Sequence, residues 1–169
     1  MSKLASDSVD FGEKKSHKRI EAISKITIHH MTGNFGAKNC ALSQLNSNRE
    51  VSTNYYIGTD GTIVSGVKEN RRSWSSSSKD NDQKAITIEV ANNSKEPNWT
   101  VSDDAFKSLI NLCVDICRRY NITLNWTGDS NGTLTTHDMF KNTKCPGPYL
   151  KGRMGDIAKT VNSKLKENQ

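Results

Sequence analysis

The sequence predicts a mixed α/β fold, a central mixed β-sheet flanked by helices, on three observations. Residues 25–31 (KITIHHM) and 85–91 (AITIEVA) alternate or run β-branched residues as strands do. Residues 54–67 (NYYIGTDGTIVSGV) set an Asp60-Gly61 pair between apolar runs, a strong hairpin signal. Two later segments space apolar residues as amphipathic helices do. A chain of 169 residues is long enough for one domain with a real core and short for two.

Residues 1–24 are charged, with KKSHKR at 14–19, and lack periodicity, so a polar tail or loose wrap is expected before a single domain over 25–169. The strand 25–31 should stop before Gly33 and Gly36, leaving its last side chains, His29 and His30, exposed at a turn. Residues 36–47 read as a short helix with Cys40, Ala41 and Leu45 on one side, and the hairpin follows. Polar residues 68–84 are expected as a long loop and binding surface, with Trp74 its only large apolar group. In the strand 85–91, Glu89 is a carboxylate among buried-type residues and needs a reason.

Ser102 caps the next helix, with Asp103 and Asp104 in its first turn and an apolar stripe of Phe106, Leu109, Ile110, Cys113, Ile116 and Cys117. It should end before Asn121. A final helix is marked by Met154, Ile157, Ala158, Val161 and Leu165, and a linker is expected to start near 163–169. There is no internal repeat.

Hydrophobic residues make up 33% of the chain, mean hydropathy is −0.71 and the formal net charge is +6, so the surface is very polar and suits an acidic partner. Charge fits nucleic acid, anionic membrane or an anionic wall polymer equally. No apolar run reaches transmembrane length, and residues 1–12 lack the apolar centre of a secretory signal. Cys40, Cys113, Cys117 and Cys145 do not form a dense disulfide framework; Cys113 and Cys117, one helical turn apart, read as buried small hydrophobes.

The chemistry gathers at 136–148 (THDMFKNTKCPGP), where His137 and Cys145 lie eight residues apart on a Gly/Pro-pinned loop. Zinc takes His nitrogen and Cys thiolate, and catalytic sites commonly use three protein ligands with one position left for water. An imidazole of the His29-His30 pair would complete that set. Glu89 then reads as a general base or acid, or as a strand carboxylate paired with a Lys or Arg. Asp138 orients an imidazole or caps a turn. A structural zinc site of Cys113, Cys117, His137 and Cys145, touching nucleic acid, is the competing metal reading; its cysteine spacing is that of a helix face rather than a zinc-knuckle turn.

IHHMTG (28–33), NYYIGTDGTI (54–63), AITIEV (85–90) and THDMFKNTKCPG (136–147) occur in an order that resembles type 2 N-acetylmuramoyl-L-alanine amidases. That zinc family includes phage endolysins, bacterial autolysins and animal peptidoglycan recognition proteins, and the resemblance spans residues 26–150. It implies their fold, with Zn2+ held by His29, His137 and Cys145, His30 falling where relatives carry Cys or another His. It also implies Glu89 as catalytic acid/base and Thr143 or Lys144 at the oxyanion. The expected reaction is hydrolysis of the amide between N-acetylmuramic acid and L-alanine of bacterial cell-wall peptidoglycan, with no nucleic acid or membrane partner.

Three positions depart from the pattern. The His that often follows the cleft Trp is Ser75 here, after Trp74. A catalytic Tyr of phage and animal members aligns with Thr53, with Tyr55 and Tyr56 close by, and the Lys some relatives carry before the Cys ligand is Thr143, with Lys144 next to it. The implied context is a phage or prophage lysin, made in the host cytoplasm and released to the wall, whose catalytic domain leads into a wall-binding one. The alternative is a noncatalytic peptidoglycan-binding module of the same fold, against which Cys145 argues.

Overall fold

The structure, a computed structural model, describes residues 1–167. Its centre is a six-stranded sheet of β1 (Asp7–Ser8), β3 (Lys25–His30), β4 (Tyr55–Ile57), β5 (Ile63–Ser65), β7 (Ala85–Val90) and β8 (Leu134–Thr136), in the order β1-β5-β4-β7-β3-β8. Neighbours are parallel except β4 and β5, the two strands of the Asp60-Gly61 hairpin. Gly61 turns the chain with φ +84, a left-handed value that suits glycine. β2 (Ser16–Lys18) and β6 (Arg71–Ser73) form a separate antiparallel pair.

Side chains alternate across a strand, so each strand divides its residues between the two faces of the sheet. One face carries Ile26 and Ile28, Ile86 and Ile88, Tyr55 and Ile57, and Leu134, all fully buried. It packs on α3 (Asp103–Tyr120) and α5 (Met154–Lys166) through Leu109, Leu112, Ile116, Ile157 and Val161. Each such side chain contributes roughly 1.5–3 kcal/mol by leaving water. The other face carries Thr27 and His29, Thr87 and Glu89, Tyr56 and Thr135. It lies beneath α1 (Ala37–Asn46), with Cys40 and Ala41 packed on Tyr56 and Val64.

The helix boundaries agree with the capping signals. The Ser102 side chain accepts from Ala105 N, and α3 ends at Asn121, which takes the left-handed conformation at φ 54. Two short helices, α2 (Lys79–Lys84) and α4 (Gly147–Lys151), complete the fold.

The N-terminal segment is not the tail or loose wrap that its charge suggests. β1 adds to the sheet edge, Val9 and Phe11 are buried, and Arg19 donates to the backbone carbonyls of Glu69, Asp82, Gln83 and Ala85. Composition marks these cations as solvated, whereas backbone acceptors engage one of them. Residues 68–84 likewise contain β6 and α2 rather than one long loop. Residues 163–166, expected to begin a linker, form the last turn of α5, and the rest of that expectation at 168–169 lies outside the described residues.

Candidate active site

The parallel strands β3, β7 and β8 end together, the edge of an α/β sheet where side chains and loops converge on a ligand. β3 brings His29 there, β7 brings Glu89, and a 3-10 turn just after β8 brings His137 (His137–Met139). The loop before α4 returns Cys145. One donor atom from each of His29, His137 and Cys145 lies within 4.8 Å of the others, a group that could hold a metal ion. The His29 and His137 rings stand 4.5 Å apart, centre to centre.

Several features suit a cation there. Burial, foremost, and the neighbouring imidazoles hold His29 well below the usual histidine pKa, and burial brings His137 down to about 4. Both imidazoles are therefore neutral near pH 7, as metal ligands must be. His29 Nε2 meets Ser75 Oγ at 3.0 Å, so the serine that replaces the expected histidine orients this ring and leaves Nδ1 as its other donor. His137 Nε2 is buried without a partner. Burial and Glu89 push the Cys145 thiol up, and the His30 N–H donates to its sulfur at 3.3 Å.

His30 does not join the cluster. Alternation turns it to the helix side, where its ring meets Trp99 edge-on at 5.4 Å. Both histidines of the pair are buried, not exposed at a turn as expected, because the Cys145 loop and the segment around Trp99 cover the strand end. Gly147 makes that cover possible. Its φ is +83, and a Cβ there would sit 3.1 Å from His30 Nδ1 and from Trp99 Cβ.

Glu89 is 8% exposed and lines the same cleft, a hollow of about 440 Å³. Burial pushes its carboxyl up to about 8 against the opposing pull of Gln44, Arg49 and Thr53. Gln44 is a neighbour that no motif announces. Its Oε1 accepts from Thr53 Oγ1 (3.0 Å) and Tyr56 OH (2.7 Å), which leaves its amide N–H groups to favour the carboxylate. Tyr56 is thereby committed, and Tyr55 lies on the opposite face bonded to Glu69, so neither hydroxyl stands in for the tyrosine that Thr53 replaces.

Thr143 lines the cleft, and its Oγ1 accepts from Cys145 N at 3.2 Å. Lys144 does not: its side chain is 80% exposed, its Nζ pairs with Glu96 at 2.9 Å, and it borders a different hollow beside Trp99 and Pro148. The backbone turn that points Thr143 inward points its neighbour out. Asp138 accepts from Thr136 Oγ1 and pairs with Lys151 at 2.9 Å, tying the loop to α4 rather than steering an imidazole. Cys113 and Cys117 lie on the buried face of α3 in the apolar core, outside the His29–His137–Cys145 group, so the four-ligand structural site does not form.

The profile of the N-acetylmuramoyl-L-alanine amidase family matches residues 19–148. The chain belongs to that family. No curated protein sequence matches this amidase significantly. Among solved structures, PlyL aligns over 92% of this chain and 95% of its own, with TM-score 0.71 and 17% identity. A selenomethionine AmpD derivative aligns over 93% and 96%, with TM-score 0.70 and 19% identity. The N-acetylmuramoyl-L-alanine amidase LysC from Clostridium intestinale aligns over 85% of each chain, with TM-score 0.57 and 25% identity. The expected mixed α/β amidase fold is thus the observed one. No described helix of this amidase is long and apolar enough to cross a membrane.

Proposed function

We propose that the protein hydrolyses the amide between N-acetylmuramic acid and L-alanine in bacterial peptidoglycan, with zinc held by His29, His137 and Cys145. Family membership supports the reaction, and the convergence of two neutral imidazoles and a thiol supports the metal. The residues that would hold the ion are two imidazoles and one thiolate, a donor set of the kind that zinc takes. Bound there, zinc supplies a Lewis acid for the scissile carbonyl and a water that ionises near neutral pH.

The side chains of this chain supply the proton transfers and the orientation. A Glu89 carboxylate oxygen takes the proton of the attacking water and returns it to the departing alanine nitrogen, so that the amine leaves neutral. Its burial keeps the carboxyl basic enough for the first step and acidic enough for the second. Gln44 and Thr53 hold the carboxylate. Because the Thr143 oxygen already accepts from Cys145 N–H, its own proton is free to be donated to the developing oxyanion. Ser75 and the His30 N–H fix the His29 ring and the Cys145 sulfur. Lys144, paired outside the cleft, takes no part.

The observation that carries this reading is the meeting of Glu89 with the His29–His137–Cys145 group in one cleft. Digestion of purified peptidoglycan tests it. New N-terminal alanine without new reducing sugar ends is expected, whereas reducing ends alone, or no cleavage by metal-replete protein, would reject it. The wider context, a lysin that acts on the bacterial wall, is proposed on the same family ground.

A further inference from the structure

The C-terminal end of α1 is held from outside the helix. Its last turn carries no basic residue and its C-cap, Ser47, is extended, so neither a left-handed turn nor a side chain of the helix itself closes its final carbonyls. Lys15 closes them instead. Its Nζ donates to Gln44 O, to Ser47 O at 2.7 Å and to Ser47 Oγ at 3.5 Å, a cation set on the negative end of the helix dipole. Lys15 enters no ion pair among the described residues, so these acceptors are its partners.

Lys15 is itself fixed in place. Its φ of 52 is a left-handed value uncommon for a residue with a Cβ, and its carbonyl accepts from Ser52 Oγ at 2.6 Å. The same Ser52 oxygen accepts from Trp74 N at 2.9 Å. One lysine thus joins the end of α1, the segment carrying Arg49 and Val51 into the cleft, and the strand that leads to Trp74.

Lys15 lines no part of that cleft, yet the carbonyl it binds belongs to Gln44, which does. Tyr56 OH accepts from Thr53 N at 3.1 Å, which aims its own proton at Gln44 Oε1. The amide N–H groups of Gln44 are thereby left for the Glu89 carboxylate, which they favour. Fraying of the helix end would carry Gln44 away from it.

We propose that Lys15 is a positioning residue of the cleft: by closing the end of α1 it holds Gln44 against Glu89, and so sets the carboxylate that moves the proton without touching substrate itself. That proton transfer rests on the amidase reading. The coupling of Lys15 to Gln44 stands on the hydrogen bonds alone. The family profile begins at residue 19, so this clamp lies outside the region it matches.

The test follows the Gln44 side-chain amide protons by NMR in zinc-loaded protein and measures kcat and KM on a soluble muropeptide. Lys15→Met keeps the apolar stem and removes the donors. Its Gln44 protons are expected to exchange with water about tenfold faster than in wild type, with kcat lower by about tenfold, KM within about twofold and zinc unchanged. Lys15→Arg, which still reaches the carbonyls, should restore both, and Lys14→Met, at an exposed neighbour, should alter neither. In a Gln44→Leu background Lys15→Met should lower kcat no further, because the residue it acts through is gone.

Unmoved Gln44 protons in folded Lys15→Met, or a kcat loss of the same size in both backgrounds, would overturn the proposal. A lower melting temperature with unchanged kcat would overturn it too, leaving Lys15 a structural role only. Should Lys15→Met fail to fold, Lys15→Gln, which keeps a neutral donor at that place, is read by the same criteria. Wild-type protein that cleaves no muropeptide while its Gln44 protons still answer to Lys15 would keep the clamp and remove the amidase reading.

Discussion

His29 and Glu89 stand opposite each other on the parallel ladder of β3 and β7, both on the polar face of the sheet. Ile26 and Ile28 on one strand, and Ile86, Ile88 and Val90 on the other, face the helices, so the residues between them must face away. Strand alternation thus sorts the His29-His30 pair: His29 joins Glu89 above the sheet, and His30 turns beneath it.

His29→Ala is accordingly expected to abolish bound zinc and activity, whereas His30→Ala keeps stoichiometric zinc and loses on the order of 1–2 kcal/mol of stability through lost packing and a lost hydrogen-bonding ring. Elemental analysis and thermal melts on the two proteins decide this. Loss of zinc in His30→Ala alone would reverse the assignment.

Thr143 and its neighbour should behave oppositely. On the proposed mechanism Thr143→Val removes the donor to the oxyanion and is expected to lower kcat by about 10²–10³ with little change in KM. Lys144→Ala, at an exposed ion pair with Glu96, should leave kcat within about twofold. Steady-state kinetics on a soluble muropeptide reads both.

Gly147→Ala forces a left-handed backbone on a residue that disfavours it and drives a methyl against His30 and Trp99. A loss of about 1–3 kcal/mol is expected, together with weaker zinc retention because Cys145 lies two residues away. Competition with a chelator measures the second effect; normal retention in a destabilised protein would uncouple the loop from the site.

Far from the cleft, Glu69 binds Arg119 in two places, at 2.7 Å each, and also bonds Tyr55 and Tyr120. Burial pushes its carboxyl up, but these donors outweigh it and bring the pKa down to about 2 from 4.5. A lowered folded-state pKa stabilises the protein above pH 4.5, by on the order of 3 kcal/mol, and that stability is lost as pH falls from 4.5 toward 2. Urea melts should show this acid sensitivity in wild type and a much flatter profile in Glu69→Gln. Equal profiles would contradict the role of Glu69.

The hairpin, both long helices, the two central strands and the site-bearing loop were legible in the sequence because each carries a period or a turn signal that its own residues determine. β2 and β6 were not. Their sequences, SHK and RRS, have no apolar alternation, and they are ordered by pairing with each other and by Arg19 reaching four carbonyls across the chain. The same holds at the site. His29, His137, Cys145 and Glu89 announce themselves by type and motif, whereas Gln44 and Ser75 act through contacts made only after folding, and the outward turn of Lys144 follows from a loop conformation that spacing does not encode.

The most direct test measures zinc content and wall hydrolysis on the same preparation of Glu89→Gln. The account predicts one zinc per chain, as in wild type, with the release of N-terminal alanine reduced by about 10² or more. Wild-type turnover in that variant, or a wild-type protein active without zinc, would contradict it.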